Sequence, residues 1–363
     1  MTGRERLNAI LHKQPVDRLS WSTLVDGNTL SQLPESLRGG GGIDFYRHLD
    51  CDIFLLDGWN TPHYFRAPEL CWPAGVEESG RQDGDCWIRE WRTPHGTLTA
   101  VYEKGHPRKY PVDSLAAVRI FREMWGGARY RAHDDAPVLS ALDGMIGDRG
   151  MVTRFWGPST IPRLLENDMG TEQFYYLLAD EPEEMTALIA LMHAREMEAF
   201  RHLAGGPCEV ITLCENTSTY YIGPDVYRRF NMPQVRDFVE TIHAAGKIAL
   251  IHMCGHVLDL LPDIRQTGLD GIHALTPPPT GNTPWETALD ALGEDLIIFG
   301  ALDPTIFCLG PVEEIGPALD RLYTPRLRRA NFCLIAFADG IAVPLERFQA
   351  VQAWMDNHGR SAC

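Results

Sequence analysis

The sequence predicts an α/β fold, a (β/α)8 TIM barrel with an N-terminal extension and a β-hairpin insertion. Three observations predict it. From residue 151 onward, short apolar runs alternate with amphipathic helical stretches, the pattern of a parallel sheet. About seven such units follow one another without a linker, which favours closure into a barrel over an open sheet. No glycine-rich dinucleotide fingerprint follows any of the runs, so a doubly wound nucleotide fold is disfavoured. The 363 residues suit one barrel domain, with 1–45 as the extension and 85–103 as the hairpin insertion.

Taken in order, Arg4 to His12 reads as a short helix stopped by Pro15. A polar stretch then ends in four consecutive glycines, Gly39 to Gly42, and reads as a mobile loop. Residues 51–57 form a short apolar run, a buried strand. Residues 86–91 and 97–102, joined by Thr93-Pro94-His95-Gly96, read as strand, turn, strand. Strands are then expected at 151–156, 209–213, 247–252, 271–275, 296–299 and 331–337. The intervening helices are expected at 159–168, 171–180, 182–204, 224–245, 257–267, 284–292 and 312–323, with a last one at 345–357.

The bulk numbers exclude whole classes of partner. A formal net charge of −16 repels phosphate backbones, so no nucleic-acid partner is expected. No apolar run reaches the roughly 18 residues of a membrane span. The opening Met1 to Gln14 is polar and amphipathic rather than a secretory leader. Nine scattered cysteines, an odd number without a paired framework, suit reduced thiols and a cytoplasmic setting.

In a barrel of this kind the active site gathers at the C-terminal ends of the strands. Those ends are polar here: Asp57, Trp156, Cys214 with Glu215 and Asn216, His252 with Cys254, His273, Asp303 and Asp339. The sharpest local feature is Ile251-His252-Met253-Cys254-Gly255. Residues two apart on a strand share a face, so His252 and Cys254 can present an imidazole and a sulfur together, most of a zinc site. The bland alternative is a strand-end histidine beside a buried cysteine. Asp339 and Glu215 end two other strands, and either carboxylate could ligate the metal or act as acid or base. The competing readings are a turn cap for Asp339 and a buried salt bridge for Glu215. Asp57 is a further catalytic candidate. Asn216, Tyr220, Tyr221 and His273 are candidates for shaping the substrate pocket, and Trp156 for an aromatic wall. There is no G-x-S-x-G elbow, no P-loop and no H-E-x-x-H helix.

The chain resembles the uroporphyrinogen decarboxylase superfamily, and within it the cobalamin-dependent methyltransferase branch. The resemblance rests on Arg4-Glu5-Arg6-Leu7 with Gln14 to Arg18, Thr93 to Thr99, Gly157-Pro158, Tyr227 to Pro233, Ile242 to Gly246, His252 to Gly255 and Gly300 to Pro304, in that order. It implies the barrel fold and a zinc-dependent enzyme moving a methyl group between a corrinoid protein and a small-molecule donor or acceptor, which is a thiol, a folate or a methylated compound. Methyltransferase members hold zinc with an H-x-C pair and a distant cysteine. His252 and Cys254 match the pair, and Asp339 stands where the third cysteine is expected. A carboxylate is an acceptable zinc ligand, and Glu215 could complete the set. No corrinoid-binding D-x-H-x-x-G motif occurs, so the cobalamin is expected on a separate partner protein docked over the barrel mouth. A homodimer is a candidate assembly. The rival readings are a cofactor-free decarboxylase and a non-catalytic barrel that binds a ligand or corrinoid protein. The segment Arg18 to Gly27 lacks the arginine-rich pattern that a polycarboxylate substrate requires, which argues against the decarboxylase.

Overall fold

A computed structural model describes residues 1–57, 65–338 and 340–359. Eight parallel strands wind into a nearly closed barrel. In chain order the strands are β1 (Ser20–Val25), β2 (Ile53–Asp57), β3 (Glu69–Cys71), β4 (Glu77–Asp83), β5 (Cys86–Thr93), β6 (Gly96–Glu103), β7 (His106–Lys109), β8 (Arg129–Arg131), β9 (Gly150–Trp156), β10 (Val210–Cys214), β11 (Ile248–His252), β12 (Gly271–Leu275), β13 (Ile297–Ala301) and β14 (Asn331–Ala338). The barrel sheet runs β1-β14-β13-β12-β11-β10-β9-β2. Its two ends meet where Asp52 N–H donates to Trp21 O at 2.9 Å and Phe54 N–H to Ser22 Oγ at 3.2 Å.

Alternation along the strands divides the apolar residues into two clusters. Leu24, Phe54, Leu56, Met151, Val210, Leu250, Phe299, Cys333, Ile335 and Phe337 fill the barrel interior. Their neighbours Ile53, Leu55, Val152, Ile211, Leu213, Ile251, Ile298 and Leu334 face outward, against the helices. Two-residue periodicity on a sheet buried on both faces produces this division.

The N-terminal mouth is plugged. Thr2 and Glu5 form a capping box that starts the helix Gly3–Leu11. Leu7, Ile10 and Leu11 of that helix join the interior cluster. Beside them Arg6 meets Asp52 at 2.6 Å, and Ser20 Oγ donates to Asp52 at 2.7 Å. All three residues are buried. Burial pushes the Asp52 carboxyl up to about 6, against the pull of Arg6.

Two expectations need correction. The polar stretch after the first helix holds β1, a strand buried at every position, where the sequence reading saw only a loop. Its Ser and Thr residues hide the apolar pattern: Ser20 and Ser22 bond to β2 and the residue before it, and Thr23, on the parity of Trp21 and Val25, donates to Ala336 O. The decorating hairpin is a four-stranded antiparallel sheet, β4 to β7, because the exposed, charged β4 and the short β7 extend it on either side. Among the described residues no helix is long and apolar enough to cross a membrane. The eight described cysteines are all free thiols.

Candidate active site

The chemistry-bearing side chains gather at the C-terminal ends of β9 to β12. On β11 the inward set is Ile248, Leu250 and His252, and Cys254 just beyond packs against the same interior cluster. Met253 lies between them and packs outward. His252 is buried, with the ring of Phe155 edge-on at 5.6 Å. His252 Nδ1 lies 2.9 Å from Nδ1 of His273 on β12, so one imidazole donates to the other. Burial pushes the His252 imidazole down to about 3; burial and then its neighbour push His273 down too. Both rings are therefore neutral at physiological pH. A shift in the β12–β13 register at His273 and Leu275, with Ala274 at φ 62°, forms a bulge beside this pair.

Asn216 joins the strands. Its backbone sits at φ 45°, a left-handed conformation that asparagine tolerates well. Glu215 and Asn216 N–H both donate to His252 O, at 3.2 and 3.1 Å, which ties the end of β10 to β11. Asn216 Oδ1 accepts from the Cys214 thiol at 3.5 Å and from Cys254 Sγ at 3.9 Å. Its Nδ2 donates to both Glu166 carboxylate oxygens, at 3.2 and 3.4 Å. Burial pushes the Cys214 thiol well up, which keeps it protonated. Burial also pushes the Glu166 carboxyl up, and the Asn216 amide pulls it back down. The loop after Cys254 passes close over the β10 loop. A Cβ on Gly255 would stand 2.6 Å from Thr217 O and 2.5 Å from Ser218 Cβ, so only glycine fits.

The structure thus brings together His252, Cys254, His273 and Asn216, and places other candidates elsewhere. Glu215 continues the outward parity of Ile211 and Leu213. Its carboxylate is fully buried behind the barrel wall, where Asn231 Nδ2 donates to it at 3.0 Å. Burial pushes it up to about 8, so it is a neutral acid facing the helices rather than the mouth. Trp156 likewise faces outward, edge-on to Tyr130 at 6.0 Å and Phe200 at 5.8 Å, so it packs the helix layer and is not a pocket wall. Tyr220 is 78% exposed and lies over His256, ring centroids 4.0 Å apart. Its neighbour Tyr221 is the tyrosine near the sulfurs; burial, then the charges of Glu166 and Cys254, push its phenol up. The side chain of Asp57 and the whole of Asp339 lie outside the described residues.

Cys214, one of the polar strand ends, and Tyr221, one of the pocket candidates, lie beside this network, whereas Glu166 was not among the candidates. It sits in a π-helical turn, Leu164–Asp168, that periodicity does not reveal. Among the described residues no three His, Cys, Asp or Glu side chains are arranged to hold a metal ion. His252 and Cys254, a neutral imidazole and a cysteine sulfur on the inward side of the barrel, are donors of the kind zinc prefers.

Similarity to known proteins extends along most of the chain. The family profile "Uroporphyrinogen decarboxylase (URO-D)" matches residues 155–357. The chain is 22% identical over 338 residues to the methylcobamide:CoM methyltransferase MtbA of Methanosarcina mazei, covering 87% of both chains. It is 21% identical over 331 residues to MtbA of Methanosarcina acetivorans, again covering 87% of both. A solved methyltransferase from Methanosarcina mazei superposes with a TM-score of 0.61 at 14% identity, over 98% of this chain and 99% of that one, and shares the fold.

Proposed function

The chain belongs to the uroporphyrinogen decarboxylase (URO-D) family, and from that premise we propose that it is a corrinoid-linked methyltransferase with a zinc site at the barrel mouth. The observation that carries the proposal is the placement of His252, at the end of β11, and Cys254, just beyond it, on the inward side of the barrel, with His252 anchored by His273. His252 and Cys254 would hold the metal together with Asp339, which follows Phe337 of the interior cluster by two residues. Zinc bound there would lower the pKa of a substrate thiol and make it a nucleophile toward a methyl group.

The chain's own residues prepare the site. The His273 bond at Nδ1 fixes the plane of the His252 ring, and Nε2 would be the nitrogen that takes the metal. Buried, His252 needs no proton removed before it coordinates. Asn216 holds Glu166 and both thiols in one network, so the rim is ordered before substrate arrives. Glu215 is reassigned to the wall, as a neutral acid that ties β10 to Asn231. Asp57 is retained as a catalytic candidate.

The cobalamin would arrive on a partner protein. Large apolar side chains stand exposed on the loops after β10, β11, β13 and β14: Tyr220, Leu258, Leu309 and Ile341. Apolar groups ringing a mouth suit a macromolecular partner that covers it. The decarboxylase reading finds no support in Arg18, which lies at the opposite end of the barrel, 3.7 Å from Asp52.

Metal analysis of the purified protein tests the proposal. Stoichiometric zinc in the wild type, lost in Cys254→Ala and His252→Ala, supports it. A wild type that takes up no zinc from a zinc-supplemented, chelator-free buffer ends it.

A further inference from the structure

Resting on the zinc–thiol reading of this site, we propose that Glu166 is a specificity-determining residue that recognises a cationic substrate, a small thiol or thioether carrying an ammonium group, and rejects anionic ones. The first observation is the position of its carboxylate. One amide group, that of Asn216, separates it from Cys254: Nδ2 lies 3.2 Å from Glu166 Oε1, and Oδ1 lies 3.9 Å from Cys254 Sγ. A two-carbon chain between sulfur and nitrogen spans such a gap.

The second observation is the set of its partners. Glu166 is only partly exposed, and among the described residues its partner is the neutral amide of Asn216. The cation nearest in sequence, Arg163, is taken: it binds Asp168 at 2.9 Å and covers the Trp125 ring at 5.2 Å. A carboxylate taken out of water without a counter-charge is costly. A cationic ligand would supply that counter-charge, whereas a sulfonate or carboxylate in the same place would add repulsion.

Calorimetric binding of three thiols of equal chain length to the zinc-loaded protein tests this. The probes are cysteamine (cationic), mercaptoethanol (neutral) and mercaptoethanesulfonate (anionic). The expected order for the wild type is cysteamine tightest and mercaptoethanesulfonate weakest. In Glu166→Gln the cysteamine affinity falls by about ten- to hundredfold, the worth of one charge-assisted hydrogen bond. Mercaptoethanol binds the variant unchanged, which shows that the fold and the metal survive. A wild type that binds cysteamine and mercaptoethanesulfonate alike, or a preference that persists in the variant, overturns the assignment. If no thiol binds the zinc-loaded wild type, the zinc–thiol reading fails instead. The role of Glu166 is then decided by tetramethylammonium chloride: binding lost in Glu166→Gln upholds it, and equal or absent binding refutes it.

Discussion

His252 and His273 share one hydrogen bond, Nδ1 to Nδ1 at 2.9 Å, between adjacent strands of the barrel. Both are buried and neutral, so only one of the two nitrogens carries the proton that joins them. Replacing His273 by Phe removes that partner. The expected outcome is a loss of about 1–3 kcal/mol of stability and about 10- to 100-fold weaker zinc binding. Denaturant unfolding and chelator competition measure the two effects.

Glu215 makes stability depend on pH. Its folded-state value of about 8 lies above the ordinary 4.5. The folded protein therefore holds this proton more tightly than the unfolded chain does. The resulting stabilisation is full below 4.5, declines as pH rises, and is gone above about 8. Glu215→Gln, a neutral mimic of the acid, should flatten that decline. The melting temperature of the variant should exceed that of the wild type in alkaline buffer, measured by calorimetry across the window.

Trp156 tests the division between barrel interior and helix layer. Its ring packs against Tyr130 and Phe200, on the face opposite His252. Trp156→Ala should cost about 3 kcal/mol of stability and leave the zinc content unchanged. Loss of zinc at unchanged stability would place the indole in the mouth instead. Denaturation and metal analysis of the same preparation distinguish the two.

The plug at the N-terminal mouth depends on a buried ion pair. Arg6 and Asp52 each have about 3% of the side chain exposed and meet at 2.6 Å. Removing Arg6 strands the Asp52 charge, so Arg6→Met alone should destabilise by about 3–5 kcal/mol, whereas in Asp52→Ala the guanidinium keeps Asp17 at 2.8 Å and the loss should be smaller. The double variant Arg6→Met with Asp52→Leu should recover part of that loss. Urea unfolding of the single and double variants provides the check.

Much of the fold was legible. The strands from residue 151 onward lie within one or two residues of the expected positions, because each is a short apolar run between amphipathic helices. β1 was not legible, since Ser20, Ser22 and Thr23 satisfy hydrogen bonds and leave no apolar run. At the site, the shared face of His252 and Cys254 followed from local spacing. The outward parity of Glu215 was equally available from Val210 to Cys214, but the turn after a strand can swing a side chain to either face. Only the backbone of Asn216, held by His252 O, resolved it.

By itself the sequence determined the barrel and the H-x-C pair, because strand periodicity and two-residue spacing are properties of contiguous chain. Tertiary structure alone decided that His273 anchors His252, that Glu166 reaches Cys254 through Asn216, and that Glu215 and Trp156 face away from the mouth. These are contacts between segments distant in the chain. Their geometry depends on strand register, a bulge at Ala274 and a π turn at Glu166, and none of these leaves a local pattern in the amino-acid order.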